Sequence, residues 1–173
     1  MPSSTQERSA QLWKRTLSDS LHPSVALLPN LRRIQSCDVS ALGRLFFAAF
    51  HGTIDDAGQT ENQYMLKATA ILSGRYGEWI SEASSTVGQP DALLAACLVC
   101  NYKPYGCPVV AVIATSPAIK REGIAGTLLD AAMTALAALG YLECCAMITR
   151  GNLASERLFE SRGFAPDSIG RDS

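Results

Sequence analysis

"VVAVIATSPAIKREGIAGTLLDAAMTALAALGY", residues 109–141, decides how the rest of the chain is read. Val109 to Thr115 is an apolar run rich in β-branched residues, stopped by Ser116-Pro117, and it reads as a buried strand. From Gly123 to Leu139 the chain is Ala- and Leu-rich and reads as a helix. Between the two, Lys120, Arg121 and Glu122 run straight into Gly-Ile-Ala-Gly. The first backbone N–H groups of a helix have no partner inside it, and the aligned peptide dipoles add partial positive charge there. Small residues at 123, 125 and 126 let an anion approach that backbone, and Lys120 and Arg121 can add charge-assisted contacts. The stretch reads as a strand–turn–helix unit able to cradle a pyrophosphate. Neither G-x-x-x-x-G-K-[ST] nor G-x-G-x-x-G is present. Taken alone, the same pattern also suits a glycine-softened helix start beside a charged surface turn.

Working outward, "ALLAACLVC" within residues 92–102 is a second apolar strand, joined to the first by the turn "KPYGCP". "LECCAMIT" follows the Ala/Leu helix as a strand, and a last helix starts near Asn152 and ends at Arg162-Gly163. Upstream, "NLRRIQSCDV" reads as a strand leading into a helix with Asp38 as N-cap. The Gly- and Asp-rich loop "HGTIDDAGQT" separates that helix from another over about Glu61 to Ser73, and a short strand lies within 82–90. The order β-α-α-β-β-β-α-β-α predicts an α/β (mixed α+β) domain over 30–173, its mixed sheet covered by helices on both faces. Residues 1–29 read as an N-terminal extension. Ser4 and Glu7 have capping-box spacing, and Trp13, Leu17 and Leu21 recur every fourth residue, which predicts a short amphipathic helix ending near His22-Pro23.

Of the 173 residues 47% are hydrophobic and 18% charged, and the net charge is −1, so no broad basic field points to nucleic acid. No apolar run reaches the ~18 residues of a membrane span. The N-terminus lacks the basic-then-apolar layout of a signal peptide, and Glu7 and Asp19 count against a transit peptide. A cytoplasmic location is the expectation. Among the six cysteines, Cys97 and Cys100 have chelating spacing, but residues three apart on a strand face opposite sides. Cys144 and Cys145 diverge for the same reason. Buried free thiols, and no metal, are expected.

The 109–141 stretch, with its Pro117 turn and K-x-x-G-x-A-G, resembles the pyrophosphate motif of the GNAT superfamily of acyl-CoA-dependent N-acyltransferases. "RGNLASERLFESRGF", residues 150–164, resembles that family's second signature, in which an Asn opens a helix closing on [YF]-E-x-x-G-F. The resemblance covers roughly residues 108 to 165. It implies a largely antiparallel mixed sheet in which the strands carrying 109–115 and 142–149 splay apart to admit acyl-CoA as co-substrate. The pantetheine arm would pair with backbone of Ile113, Ala114 and Thr115. The pyrophosphate would rest on Lys120, Arg121, Glu122, Gly123, Ile124, Ala125 and Gly126. Asn152 would bond the pantetheine arm, and Phe159 would lie near the thioester sulfur. The implied activity is transfer of an acetyl or short acyl group to the amine of a small molecule or protein, and a homodimer is the assembly the resemblance suggests.

Two departures from the family pattern matter. Phe159 stands where many members carry a Tyr general acid, and Val109 where many carry a Glu base. Ser155, one helical turn before Phe159, is a substitute donor. Asp55, Asp56 and Glu61 are candidate bases for a cationic acceptor, with Glu82 and Tyr64 as further options. Backbone N–H groups around Ala114 and Thr115 can serve the oxyanion. Because of these departures, an acyl-CoA-binding sensor without catalysis stays open as an alternative. A nucleotide-binding protein using the same helix end is a third reading.

Overall fold

The 92–102 segment is buried on both faces because helices cover both sides of the sheet it centres. In the computed structural model, which describes residues 9–18, 28–119 and 123–168, eight strands form one sheet. They are β1 (Ala10–Thr16), β2 (Arg32–Arg33), β3 (Glu78–Trp79), β4 (Ser85–Gln89), β5 (Ala92–Tyr102), β6 (Cys107–Thr115), β7 (Glu143–Thr149) and β8 (Ala165–Pro166). Their order is β2-β4-β5-β6-β7-β1-β8, with β3 added along β5. The β6–β7 pairing is parallel and the others are antiparallel. The helices are α1 (Val39–Phe50), α2 (Glu61–Leu72), α3 (Ile124–Ala138) and α4 (Leu153–Ser161). No helix among the described residues is long and apolar enough to cross a membrane.

Strand alternation sorts the core into two layers. Leu128, Met133 and Leu136 of α3 and Phe159 of α4 pack with Cys97, Val99 and Val110 on one face. Leu42 and Phe46 of α1 and Tyr64 and Ile71 of α2 pack with Ala96, Leu98 and Val112 on the other. Cys97 and Cys100 fall on opposite faces, as do Cys144 and Cys145, in line with the period of two.

The N-terminal segment departs from its expected conformation. Residues 10–16, expected to be helical, are a full strand antiparallel to β7, from Ala10↔Thr149 to Thr16↔Glu143. Leu17 N–H extends that ladder by donating to the Leu142 carbonyl at 2.8 Å. A spacing of four is close to one helical turn but is also an even number, so Trp13 and Leu17 share a face in either conformation. Both are buried against the α3 side of the sheet. Leu21, Ser4 and Glu7 lie outside the described residues. β1 sits between β7 and the two-residue β8, so this chain itself covers the β7 edge.

Asp38, expected as the N-cap of α1, does a different job. A 3-10 turn, Ser36–Asp38, precedes the helix, and the Asp38 side chain makes no cap bond to α1. Its buried carboxylate accepts the Gln35 N–H and two N–H groups of Arg32, each at 2.8 Å, tying β2 to α1. The Arg32 hydrogen bonds hold the Asp38 carboxyl below its ordinary 3.8. A carboxylate depressed on folding stabilises the protein above its unfolded value, and the contribution is lost as pH falls through the folded value. Asp38→Ala is therefore expected to cost about 2–3 kcal/mol at pH 7, because it strands a part-buried guanidinium. In thermal melts the gap from wild type should close as the pH drops below about 4. An equal gap at pH 3 and pH 7 would contradict the assignment.

Candidate active site

The two central strands β6 and β7 pair only at Val109↔Cys145 and separate beyond it. Each is held from its far side, β6 by β5 and β7 by β1, so the wedge between them is built into the sheet. A bulge in β6 sets what faces it. Val110 opposes Val99 and Val112 opposes Leu98, leaving Ala111 as the extra residue. This is why Val109 and Val112, three apart, can share the α1/α2 face.

Past the bulge, Ser116 N–H donates to the Leu94 carbonyl at 2.7 Å, and Ala114 stands opposite Ala96. Antiparallel neighbours exchange both hydrogen bonds at every second residue. Val112 and Ala114 are thus engaged with β5, while the backbone groups of Ile113 and Thr115 face the open edge. Of the residues expected to pair with an extended ligand, Ile113 and Thr115 present backbone to it; the Ala114 N–H points the other way.

Two cavities meet here. The larger, about 610 Å³, runs from Ile113, Ala114 and Thr115 to the start of α3 and across to α4. The smaller, about 280 Å³, lies within the wedge against α2. Phe50, Asp55, Ile113, Asn152 and Ser155 line both.

At the α3 end, Gly123, Ile124, Ala125 and Gly126 line the larger cavity. Gly123 is the residue before the helix, with φ of 74°, and among the described residues a Cβ added there would meet nothing within 4 Å. The left-handed backbone at this position favours glycine. Gly126 is small for another reason: the Arg162 guanidinium lies where its side chain would be. Arg162 donates from Nε to Asp130 Oδ1 at 3.2 Å and lines the cavity together with Arg157. Neither arginine was read from the sequence as a site residue, since Arg157 lies in α4 and Arg162 is its C-cap, and only packing brings them to the α3 start. Lys120, Arg121 and Glu122 lie outside the described residues.

On the α4 side, Asn152 caps the helix by accepting the Ser155 N–H at 3.2 Å, and its Nδ2 donates to Asp55 Oδ2 at 2.7 Å. The side chain expected to bond a pantetheine arm thus also fixes Asp55 on the wall shared by the two cavities. The Ser155 hydroxyl has no hydrogen bond among the described residues, so it can donate into either cavity. Phe159 is buried edge-to-face on Phe164, with centroids 5.0 Å apart, and lines the smaller cavity. Val109 is buried at the root of the wedge and lines neither.

The paired loop carboxylates part company. Asp56 accepts N–H bonds from Gly52 at 2.7 Å and Gly58 at 2.8 Å, with the His51 Nδ1 at 3.4 Å, and lines neither cavity. It closes the loop on which Asp55 is presented. Glu61 and Glu82 are also away from both cavities, whereas the buried Tyr64 lines the smaller one. Lys67 lines it too, a residue that the sequence reading passed over. Burial pushes its ammonium below the ordinary lysine value, and the Asp55 charge opposes that shift.

The thiols are a contrast. Burial pushes Cys97 up to about 12 and Cys100 to about 11, and Cys37 is the exposed cysteine. One fast thiol per chain is expected with a thiol-reactive dye in buffer, against six in denaturant. Rapid labelling of several thiols in the native protein would contradict the packing described.

A splayed central pair, a glycine-started helix and a cleft joining them are features of an acyltransferase-type fold. The chain belongs to the GNAT acetyltransferases: the model of the Acetyltransferase (GNAT) family matches residues 49–164. Among curated protein sequences none matches it. Its fold is similar to that of a GCN5-related N-acetyltransferase from Sphaerobacter thermophilus (TM-score 0.64, 16% identity, covering 92% of this chain and 49% of that one). It is also similar to a GNAT-family acetyltransferase from Colwellia psychrerythraea (TM-score 0.65, 13% identity, 92% and 53%). A third likeness is the yncA protein of Salmonella typhimurium, solved with its cofactor acetyl-CoA (TM-score 0.57, 16% identity, 77% of each chain). The chain thus spans about half the length of the first two.

Proposed function

We propose that this protein transfers an acetyl or other short acyl group from acyl-CoA to a primary amine by direct attack on the thioester. The observation that carries the reading is the junction of the two cavities at the open edge of β6. An extended ligand arm can pair with Ile113 and Thr115 while its anionic end reaches the α3 start. The larger cavity suits acetyl-CoA: its lining includes a glycine-rich helix start that can receive phosphate, and Arg157 and Arg162 supply charge nearby.

The chain's own groups divide the chemistry. The Thr115 N–H, pointing into the wedge, stabilises the oxygen that becomes negative as the amine nitrogen bonds to the carbonyl carbon. Asp55, held by Asn152, takes the proton that the amine must lose, directly or through one water. As the carbon–sulfur bond breaks, the electron pair leaves on the CoA sulfur. The Ser155 hydroxyl can donate to that thiolate in place of the acid that Phe159 cannot supply. A thiol of pKa near 8.5 is a tolerable leaving group with no strong acid.

Calorimetric titration with acetyl-CoA beside ATP, followed by an amine panel read by thiol release, tests the proposal. Acetyl-CoA is expected to bind and ATP to bind far less tightly, with thiol release that depends on added amine. Binding without release in any amine would overturn transfer and leave a sensor. Preferential binding of ATP would overturn both.

A further inference from the structure

The inner face of α2 is an apolar stripe, Tyr64, Ala68 and Ile71, and Lys67 falls on the same face at helical spacing. A lysine in such a stripe ordinarily snorkels to water. Here it is half-buried and lines the smaller cavity, with no hydrogen bond or ion pair to any described residue. Asp55 faces the same cavity and its charge is felt at Lys67, yet the two form no ion pair. A part-desolvated ammonium without a partner is held at a cost that a bound anion would relieve.

The acceptor's own charge sharpens the argument. A primary amine of pKa near 10 arrives at neutral pH as a cation. Lys67 repels it unless the same molecule carries an anion. A cavity offering one carboxylate, Asp55, and one unpaired ammonium, Lys67, complements a ligand bearing both charges. Around them stand Phe50, Met147 and Phe159, which offer no competing charge. At about 280 Å³ the cavity lies just under the range of pockets for drug-sized ligands, so the ligand is small.

Resting on the transferase reading above, we infer that Lys67 binds a carboxylate of the acceptor, and that the acceptor is a small amino acid rather than a simple amine or a protein amine. The amine is directed to Asp55 and the thioester, and the carboxylate to the Lys67 Nζ. Lys67 touches substrate without moving a proton, so it sets specificity.

The test is acetyl transfer to matched probes: a panel of free amino acids, the corresponding amino-acid amides, and short peptides with free N-termini. Each is read by thiol release with wild type, Lys67→Met and Lys67→Arg. In wild type, kcat/KM for the preferred amino acid should exceed that for its amide about tenfold or more, the scale of one charge-assisted hydrogen bond. Lys67→Met should collapse that ratio toward one mainly through the acceptor KM, and Lys67→Arg should restore most of it. Calorimetry with the amino acid in the presence of CoA gives a second readout, in which binding is lost in Lys67→Met. Amides or peptides used as well as free acids, or a ratio unchanged in Lys67→Met, would overturn this inference while leaving transfer standing. Acetyl-CoA that binds but is consumed with no amine would overturn both, and that outcome is recognisable by its uniformity across the panel.

Discussion

Gly123→Glu is expected to weaken acetyl-CoA binding by about 100-fold or more with the fold retained. The expectation combines two effects at one backbone position. Gly123 has φ of 74°, and an L side chain in that region costs about 1–2 kcal/mol. Among the described residues no atom lies within 4 Å of the direction in which a side chain would leave. Its carboxylate is delivered to the N–H groups at the α3 start, where it occupies the dipole's positive end and repels an incoming phosphate. Gly123→Asn separates the two effects, because asparagine tolerates the left-handed region and carries no charge. That variant should lose about tenfold or less by calorimetry, a loss of about 1.4 kcal/mol that is no larger than the cost of strain alone. Equal losses in both variants would mean that strain, rather than charge, controls the site. Unchanged affinity in Gly123→Glu would move the pyrophosphate away from the α3 start.

Asp55→Asn should lower kcat/KM for the acceptor by about 100- to 1,000-fold, within the range of a lost general base. The substitution is nearly isosteric, and its side-chain oxygen can still accept the Asn152 Nδ2–H that Asp55 accepts at 2.7 Å. Loop position and the α4 cap are therefore conserved while the charge and the proton acceptor are removed. Acetyl-CoA affinity should stay within about twofold of wild type, since the loss of one near-site charge is partly screened. Asp56→Asn provides the contrast. Its carboxylate bridges Gly52 and Gly58 N–H groups inside the loop, so its substitution should lower the Tm and leave the acceptor rate constants near wild type once the protein is folded. If Asp55→Asn turned over its acceptor at the wild-type rate, the proton would have to leave by water alone.

These two carboxylates illustrate how far the sequence could be read at the site. Both Asp55 and Asp56 stood out as acidic residues in one loop, and adjacency in sequence could not say which would face a cavity. What separates them is capture: backbone N–H groups of the loop take Asp56, and Asn152, nearly a hundred positions away in the chain, takes Asp55. Lys67 was legible in principle as a charge interrupting a helical stripe. Its meaning depends on what α2 packs against, because the same lysine at the rim of a plain core would reach water. Arg162 similarly gains its place over Gly126 only when α4 is laid beside α3.

The elements whose signals are local are legible in the residues alone. The strand ending at Ser116-Pro117, the glycine-started helix α3 and the Asn152 cap of α4 follow from side-chain periodicity, backbone conformational preference and helix-end hydrogen bonding. Such signals act within a few residues, so no tertiary context is needed to read them. Only the tertiary structure decided the conformation of residues 10–16, because an apolar spacing of four satisfies a helix and a strand alike. The free edge of β7, with its unpaired backbone groups, selects the strand. It likewise decided, through the Ala111 bulge, which backbone groups of β6 face the wedge. Register is a property of two strands, and a single strand's sequence carries only half of it.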